Sequence, residues 1–125
     1  MPASAPVVLV TGAARRIGAA IVRRLHADGH AVALHCNRSR EDADALAAEL
    51  EAQRPGRVHV LQGDLADAAV LQGLVEATVA HFGRLDALVN NAAAFAPTAF
   101  EATGADAFDA LMATNARAPF LLAQA

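Results

Sequence analysis

The amino-acid sequence predicts an α/β domain with a doubly wound parallel sheet. Short apolar runs alternate along the chain with segments whose apolar residues recur at helical spacing. The short runs are apolar throughout rather than at every second residue, which is typical of parallel strands buried on both faces. Because crossovers between parallel strands are right-handed, the favoured strand order is 3-2-1-4.

The first half of the chain contains two strand–helix units. Val7–Val10 is predicted as a buried strand, and a helix follows over residues 16–28, where Gly29 supplies a stop signal. A second strand covers Ala31–Cys36. Ser39 is then predicted as the N-cap of a second helix, because acidic residues follow it in the first turn.

The second half continues the same alternation. A third strand is predicted over residues 57–62, and a helical stripe runs from residue 70 to residue 82 before Gly83. A fourth, very apolar strand covers residues 86–91. A last helix begins near Asp106, and Pro119 is expected to bend or restart it. These elements form one incomplete sheet of the Rossmann type.

Composition limits the classes of protein that the chain can belong to. Its 125 residues are 55% hydrophobic and 18% charged, which is typical of a globular domain. A net charge of −3 argues against binding to nucleic acid or to a membrane surface. The N-terminus lacks the pattern of a signal peptide, and no apolar run approaches the roughly 20 residues of a membrane span, so a cytoplasmic protein is expected. The five histidines show no metal-ligand spacing, so no metal site is predicted.

The segment "VVLVTGAARRIG" carries the first functional signal. Gly12 and Gly18 bracket the turn between the first strand and the first helix. Glycine at such a turn lets backbone N–H groups approach a pyrophosphate, whose charge is favourable at a helix N-terminus. The turn therefore indicates dinucleotide binding, although a plain tight turn with two surface arginines would have the same sequence.

This segment and a second one, "NNAAAF", resemble the short-chain dehydrogenase/reductase family. Arg16 stands where the general family pattern has its middle glycine, and "TGAARRIG" is similar to the pteridine reductase branch in this respect. The resemblance extends over essentially the whole chain. It implies an NADPH-dependent oxidoreductase, and the residues it assigns to the cofactor in this first turn are Gly12, Arg15, Arg16, Ile17 and Gly18.

The end of the second strand favours NADP(H) over NAD(H). A carboxylate there would accept hydrogen bonds from a ribose 2′-hydroxyl and repel a 2′-phosphate. This chain instead has Arg38 and Ser39, which are suited to binding a phosphate. The pteridine reductases have a similar His-x-x-Arg-Ser run, which implies that His35, Asn37, Arg38 and Ser39 bind the cofactor. An exposed arginine beside an ordinary N-cap is the alternative.

The resemblance assigns further residues to the cofactor after the third and fourth strands. Asp64 and Leu65 would flank the adenine ring, although a short polar turn would also explain "GDLAD". Asn90 would brace the central sheet. The residues that would line the cofactor next are Asn91, Ala92 and Ala93. Adjacent asparagines could otherwise satisfy loose backbone groups at the strand end.

On the substrate side, the resemblance implies a small molecule, with a pterin as the first candidate. Phe95 would stack on a planar heterocycle, and Arg16 would contact it; packing of Phe95 in the loop is the alternative. Ala93 and Ala96 depart from the pteridine reductase pattern. They leave open a short-chain reductase for another carbonyl or imine substrate.

For the chemistry, the resemblance assigns Asn115 to a proton relay, in which it anchors a water molecule. Relief of a helix irregularity before Pro119 is the alternative. In the family, the tyrosine of a Tyr-x-x-x-Lys pair supplies the proton and the lysine lowers the pKa of that tyrosine. This chain has no tyrosine. We therefore expect residues 1–125 to be an N-terminal cofactor-binding portion, inactive without a C-terminal catalytic portion. The whole protein is expected to form homo-oligomers through the helix near Asp106. A non-catalytic nucleotide-binding module remains the other hypothesis.

Overall fold

The computed structural model, which describes residues 5–94, 96 and 98–125, contains one parallel four-stranded sheet. The strands are β1 (Val7–Val10), β2 (Ala31–Cys36), β3 (Val58–Gln62) and β4 (Ala87–Val89). Their order is β3-β2-β1-β4, which confirms the predicted topology. In register, Val10 lies beside Leu34 on one side and Val89 on the other, so the carboxyl ends of these strands meet at one edge of the sheet.

Helices cover both faces of this sheet. They are α1 (Arg16–Ala27), α2 (Arg40–Gln53), α3 (Ala68–Phe82), α4 (Ala105–Met112) and α5 (Ala118–Gln124), with a π-helical turn at Ala113–Arg117 between the last two. Because side chains alternate along a strand, β1 contributes Val8 and Val10 to the core beneath α1 and α2. It contributes Leu9 to a second core beneath α3 and α5.

The helix ends predicted at Gly83 and Ser39 lie where the sequence places them, and α3 has a further cap at its start. α3 ends at Gly83, which has φ of 82° and donates its N–H to the carbonyl of Val79 at 2.7 Å. At the start of α3, the Asp67 carboxylate accepts a hydrogen bond from the N–H of Ala69 at 3.0 Å. Ser39 occupies the predicted N-cap position of α2, but its side chain makes no capping hydrogen bond.

Two elements differ in detail from the sequence prediction. β4 has three residues rather than six, because the residues that flank it make other bonds. Asp86 accepts a hydrogen bond from the N–H of Val7 at 2.8 Å, and Asn91 bonds to the loop after β1. The irregularity expected near Pro119 is the π-helical turn, which continues directly into α5, and Pro119 is the second residue of α5.

Candidate functional site

A cleft of about 470 Å³ opens beyond the carboxyl ends of the strands. The structure brings together there every residue that the sequence assigned to a cofactor within the described chain. These are Gly12, Arg15, Arg16, Ile17, Gly18, His35, Asn37, Arg38, Ser39, Asp64, Leu65, Asn91, Ala92 and Ala93. The cleft is also lined by four residues that no sequence motif singles out, namely Ala14, Cys36, Ala94 and Thr114. These four residues lie next to motif residues in the sequence, but their own side chains are not typical of cofactor binding.

The floor of the cleft is a set of hydrogen bonds between the ends of β1 and β4. The Asn91 side-chain amide donates to the carbonyls of Thr11 and Gly12, at 3.2 Å and 3.0 Å. The Thr11 hydroxyl accepts the N–H groups of Asn91 and Ala92, at 3.1 Å and 3.0 Å. The bracing role implied for Asn90 therefore belongs to Asn91, because the side chain of Asn91 points back toward the end of β1.

The glycine loop, residues 11–18, is packed too closely for side chains at its two glycines. Gly12 has φ of 60°, and a Cβ there would lie 2.8 Å from the Ala92 Cα. A Cβ on Gly18 would lie 2.2 Å from the Gly12 carbonyl oxygen and 2.7 Å from the Asn91 side-chain nitrogen. The two glycines therefore allow the loop to fold tightly against the end of β4.

Three side chains of the glycine loop, two arginines and one isoleucine, are exposed at the cleft. Arg16 has φ of 52°, a left-handed conformation that non-glycine residues rarely adopt. It is the first residue of α1, where backbone N–H groups have no intrahelical partner. Ile17 is 70% exposed although it is a large apolar residue. Arg15 is paired with the carboxylate of Asp42 on α2.

His35 connects the glycine loop to β3. Its Nδ1 accepts the N–H of Gly12 at 3.0 Å, and its Nε2 lies 2.8 Å from the carbonyl oxygen of Gly63. The His35 carbonyl accepts the N–H of Ala13 at 2.8 Å. Burial lowers the pKa of His35 below 6.5, while the bond to Gly63 and the charge of Asp64 oppose this change. The family resemblance implies that His35 binds the cofactor, but both of its ring nitrogens already have backbone partners.

The corner after β2 presents polar groups and one guanidinium. Arg38 is exposed and lies with Asn37 and Ser39 along the cleft. The carbonyl of Asn37 accepts a hydrogen bond from the Gln62 side chain at 2.8 Å, which ties this corner to the end of β3. Asp64 lies in the turn after β3, where its carboxylate accepts the N–H of Ala66 at 2.9 Å.

The far side of the cleft is formed by the loop after β4. Asn115, in the π-helical turn, bonds twice to Ala94: its Oδ1 accepts the N–H and its Nδ2 donates to the carbonyl, both at 2.8 Å. The side chain thus clamps the loop at a helix irregularity. Phe95, assigned to the substrate from sequence, lies outside the described residues, and Ala96 is exposed.

Two other features are absent from the part of the chain that the structure describes. Residues 5–94, 96 and 98–125 contain no group of three or more His, Cys, Asp or Glu side chains placed to hold a metal ion. In the same ranges, every helix is too short or too polar to cross a bilayer.

Cys36 is buried, and burial raises the pKa of its thiol.

Comparison with known proteins identifies relatives. Pteridine reductase 1 of Leishmania tarentolae is 44% identical over 76% of this chain and 39% of that protein. An uncharacterized oxidoreductase of Methylorubrum extorquens is 38% identical over 95% of this chain and 48% of that protein. A 3-oxoacyl-(acyl-carrier-protein) reductase of Staphylococcus aureus is 39% identical over 67% of this chain and 34% of that protein. The chain thus spans less than half the length of these relatives.

The family model for short chain dehydrogenase matches residues 6–125, from just before β1 to the end of α5. This match includes the whole sheet and all the residues that line the cleft. The chain therefore belongs to the short chain dehydrogenase family of oxidoreductases.

Proposed function

We propose that this chain is the NADPH-binding portion of a short-chain-type reductase. The observation that carries the proposal is that Gly12 and Arg38 line one cleft, although they follow different strands. A dinucleotide needs such a shared crevice, because its pyrophosphate and its adenosine ribose bind at neighbouring strand ends.

The residues of the cleft fit an anionic dinucleotide. The N–H groups in the first turn of α1 and the guanidinium of Arg16 favour negative charge at the glycine loop, where Arg15 also lies but is paired with Asp42. At the corner after β2, Arg38 and Ser39 supply donors suited to a phosphate. Among the described residues that line the cleft, the acidic one is Asp64, on the turn after β3, where the family resemblance implies adenine.

Each group of residues has a separate task in this proposal. The glycine loop would hold the pyrophosphate, Arg38 and its neighbours would hold the 2′-phosphate, and Leu65 would pack on the adenine. Ala92 and Ala93 would line the nicotinamide side. When bound, the cofactor would supply a hydride to the substrate, and the residues of the cleft would orient it. Asn115 would anchor a water of the proton relay, as the family resemblance implies.

We further propose a pterin or a similar planar heterocycle as the substrate. Support comes from the similarity to pteridine reductase 1, from Arg16 at the cleft and from Phe95 in the sequence after β4. A second candidate is another carbonyl or imine compound. It is favoured by the similarity to a 3-oxoacyl reductase and by alanine at positions 93 and 96.

The chain has no tyrosine, so the Tyr-x-x-x-Lys pair of the family cannot lie in it. We propose that the pair lies in a C-terminal portion and that residues 1–125 alone have no reductase turnover. We also propose that the whole protein is a homo-oligomer that assembles through α4, whose Phe108 and Met112 are 58% and 47% exposed.

The substrate proposal is tested by initial rates of NADPH oxidation. The intact protein that contains this chain is assayed with a dihydropterin and with a simple ketone, and each assay is repeated with Phe95→Leu. We expect faster turnover of the dihydropterin, and a larger rise in KM for the dihydropterin than for the ketone in the variant. Preference for the ketone would favour the second candidate, and no turnover of either would favour a non-catalytic module.

A further inference from the structure

The side chain of His35 contacts both the glycine loop and the turn after β3 through the interior. It is 1% exposed, and Nδ1 and Nε2 lie 3.0 Å from the Gly12 nitrogen and 2.8 Å from the Gly63 oxygen. Because the Gly12 N–H can only donate and the Gly63 carbonyl can only accept, the ring must carry its proton on Nε2. The two contacts thus fix one neutral tautomer.

We propose that His35 is a positioning residue, which sets the glycine loop for the cofactor pyrophosphate through the Gly12 N–H instead of touching the cofactor phosphate itself. This inference rests on the proposed NADPH-binding function. Its basis is that neither ring nitrogen is left to bind a phosphate. The N–H groups of Gly12 and Ala13 are likewise committed to His35, so a pyrophosphate would meet the N–H groups from Ala14 onward.

The carbonyl of His35 strengthens the same connection. It accepts the N–H of Ala13, so two consecutive N–H groups of the loop are held by one residue of β2. On the other side, the N–H of Gly63 donates to the Cys36 carbonyl at 3.0 Å. Residues 35 and 36 therefore link the pyrophosphate corner to the turn that carries Asp64 and Leu65.

Protonation of the ring would reverse the contact with the loop. A proton on Nδ1 replaces the acceptor with a donor that faces the Gly12 N–H. Because burial lowers the pKa of His35 below 6.5, the ring is protonated only at a lower pH than an exposed histidine. The titratable and charged groups that line the cleft around the ring are Arg15, Arg16, Cys36, Arg38 and Asp64. Of these, Asp64 raises the pKa of His35.

Two substitutions separate the Gly12 contact from the Gly63 contact. In His35→Asn, the side-chain oxygen can occupy the Nδ1 position and accept the Gly12 N–H. In His35→Gln, the longer side chain can place its NH₂ at the Nε2 position and donate to Gly63, which leaves the Gly12 N–H without its acceptor. Neither replacement titrates, so each also removes the pH dependence of the ring.

The experiment measures NADPH dissociation constants of the intact protein by fluorescence titration at pH 8.0 and pH 5.5. At pH 8.0 we expect His35→Asn to stay within about threefold of the wild type and His35→Gln to bind about tenfold more weakly. Protonation of the wild-type ring as the pH falls should weaken NADPH binding, and His35→Asn has no ring to protonate, so a smaller loss of affinity in the wild type than in His35→Asn would contradict the proposal. Protonation of the cofactor's own phosphate near pH 6 affects all proteins alike and cancels in this comparison.

A second measurement needs no cofactor. Amide hydrogen exchange at Gly12 should be slow in the wild type and in His35→Asn, and fast in His35→Gln. If the wild type does not bind NADPH but the three proteins show this exchange pattern, the proposed function is wrong and the positioning role of His35 stands. Equal binding and equal exchange in both variants would overturn the positioning role.

If a variant does not fold, as judged by circular dichroism, the wild type alone still decides. Ring ¹⁵N shifts of His35 should then show the proton on Nε2, and a proton on Nδ1 at pH 8.0 would overturn the proposal.

Discussion

Asn91, which follows β4, donates two hydrogen bonds to Thr11, the residue that follows β1. The Asn91 amide donates to the Thr11 carbonyl at 3.2 Å, and its backbone N–H donates to the Thr11 hydroxyl at 3.1 Å. Thr11 is 1% exposed, so its polar groups depend on these partners. This pair fixes the position of the glycine loop relative to the segment that follows β4.

Asn91→Ala should therefore destabilise the protein. The substitution leaves the carbonyls of Thr11 and Gly12 without the amide donor, which is expected to lower the free energy of unfolding by about 1–3 kcal/mol. Asn90→Ala is the matched control, because Asn90 is exposed, and it should change stability by about 0.5 kcal/mol or less. Urea denaturation measures both values. Equal losses in the two variants would contradict the assignment of the brace to Asn91.

Two glycine-to-alanine substitutions should have effects of opposite sign. A Cβ at Gly18 would lie 2.2 Å from the Gly12 carbonyl oxygen, so Gly18→Ala should destabilise the protein and weaken NADPH binding. Gly73 lies inside α3, where an added Cβ would meet no neighbouring atom within 4 Å. Gly73→Ala should therefore raise the free energy of unfolding by about 0.5–1 kcal/mol. Thermal unfolding with and without NADPH checks both, and a neutral Gly18→Ala would show that the loop is packed more loosely than these distances imply.

Arg16 should show a conflict between stability and binding. Its φ of 52° is strained for arginine but not for glycine, so Arg16→Gly should raise the free energy of unfolding by about 1 kcal/mol. The same change removes a cation from the cleft and should weaken NADPH binding. Arg15→Gly is the control: its φ of −140° is unstrained, so no gain in stability is expected. Denaturation and binding titrations are compared for the two variants.

Asp86 should contribute a pH-dependent part of the stability. The hydrogen bond from Arg84 and then that from the Val7 N–H hold the pKa of Asp86 below 3.8. A depressed carboxyl pKa stabilises the folded state above 3.8, and this contribution is lost as the pH falls through the folded-state pKa. The unfolding midpoints of the wild type and Asp86→Asn should therefore differ at pH 7, and the difference should shrink as the pH falls below 3.8 through the folded-state pKa. A constant difference at all pH values would exclude this linkage.

The sequence allows the sheet and the cleft to be predicted because both depend on simple patterns. Apolar strands fix which elements form the sheet, and parallel pairing brings their carboxyl ends to one edge. Contacts of single side chains do not follow from such patterns. The choice of Asn91 over Asn90 depends on which side chain turns toward β1, and the two contacts of His35 depend on where the loop and β3 end.

Arg38 offers the most direct test of the NADPH proposal. Dissociation constants for NADPH and NADH are measured on the intact protein as wild type, Arg38→Asp and Arg40→Asp. Arg40 is the matched control, since its guanidinium pairs with Asp44 along α2. A charge-assisted bond to the 2′-phosphate should favour NADPH in the wild type by at least about tenfold. We expect Arg38→Asp to abolish this preference and Arg40→Asp to keep it. Equal affinities in the wild type, or an unchanged preference in Arg38→Asp, would contradict the proposal.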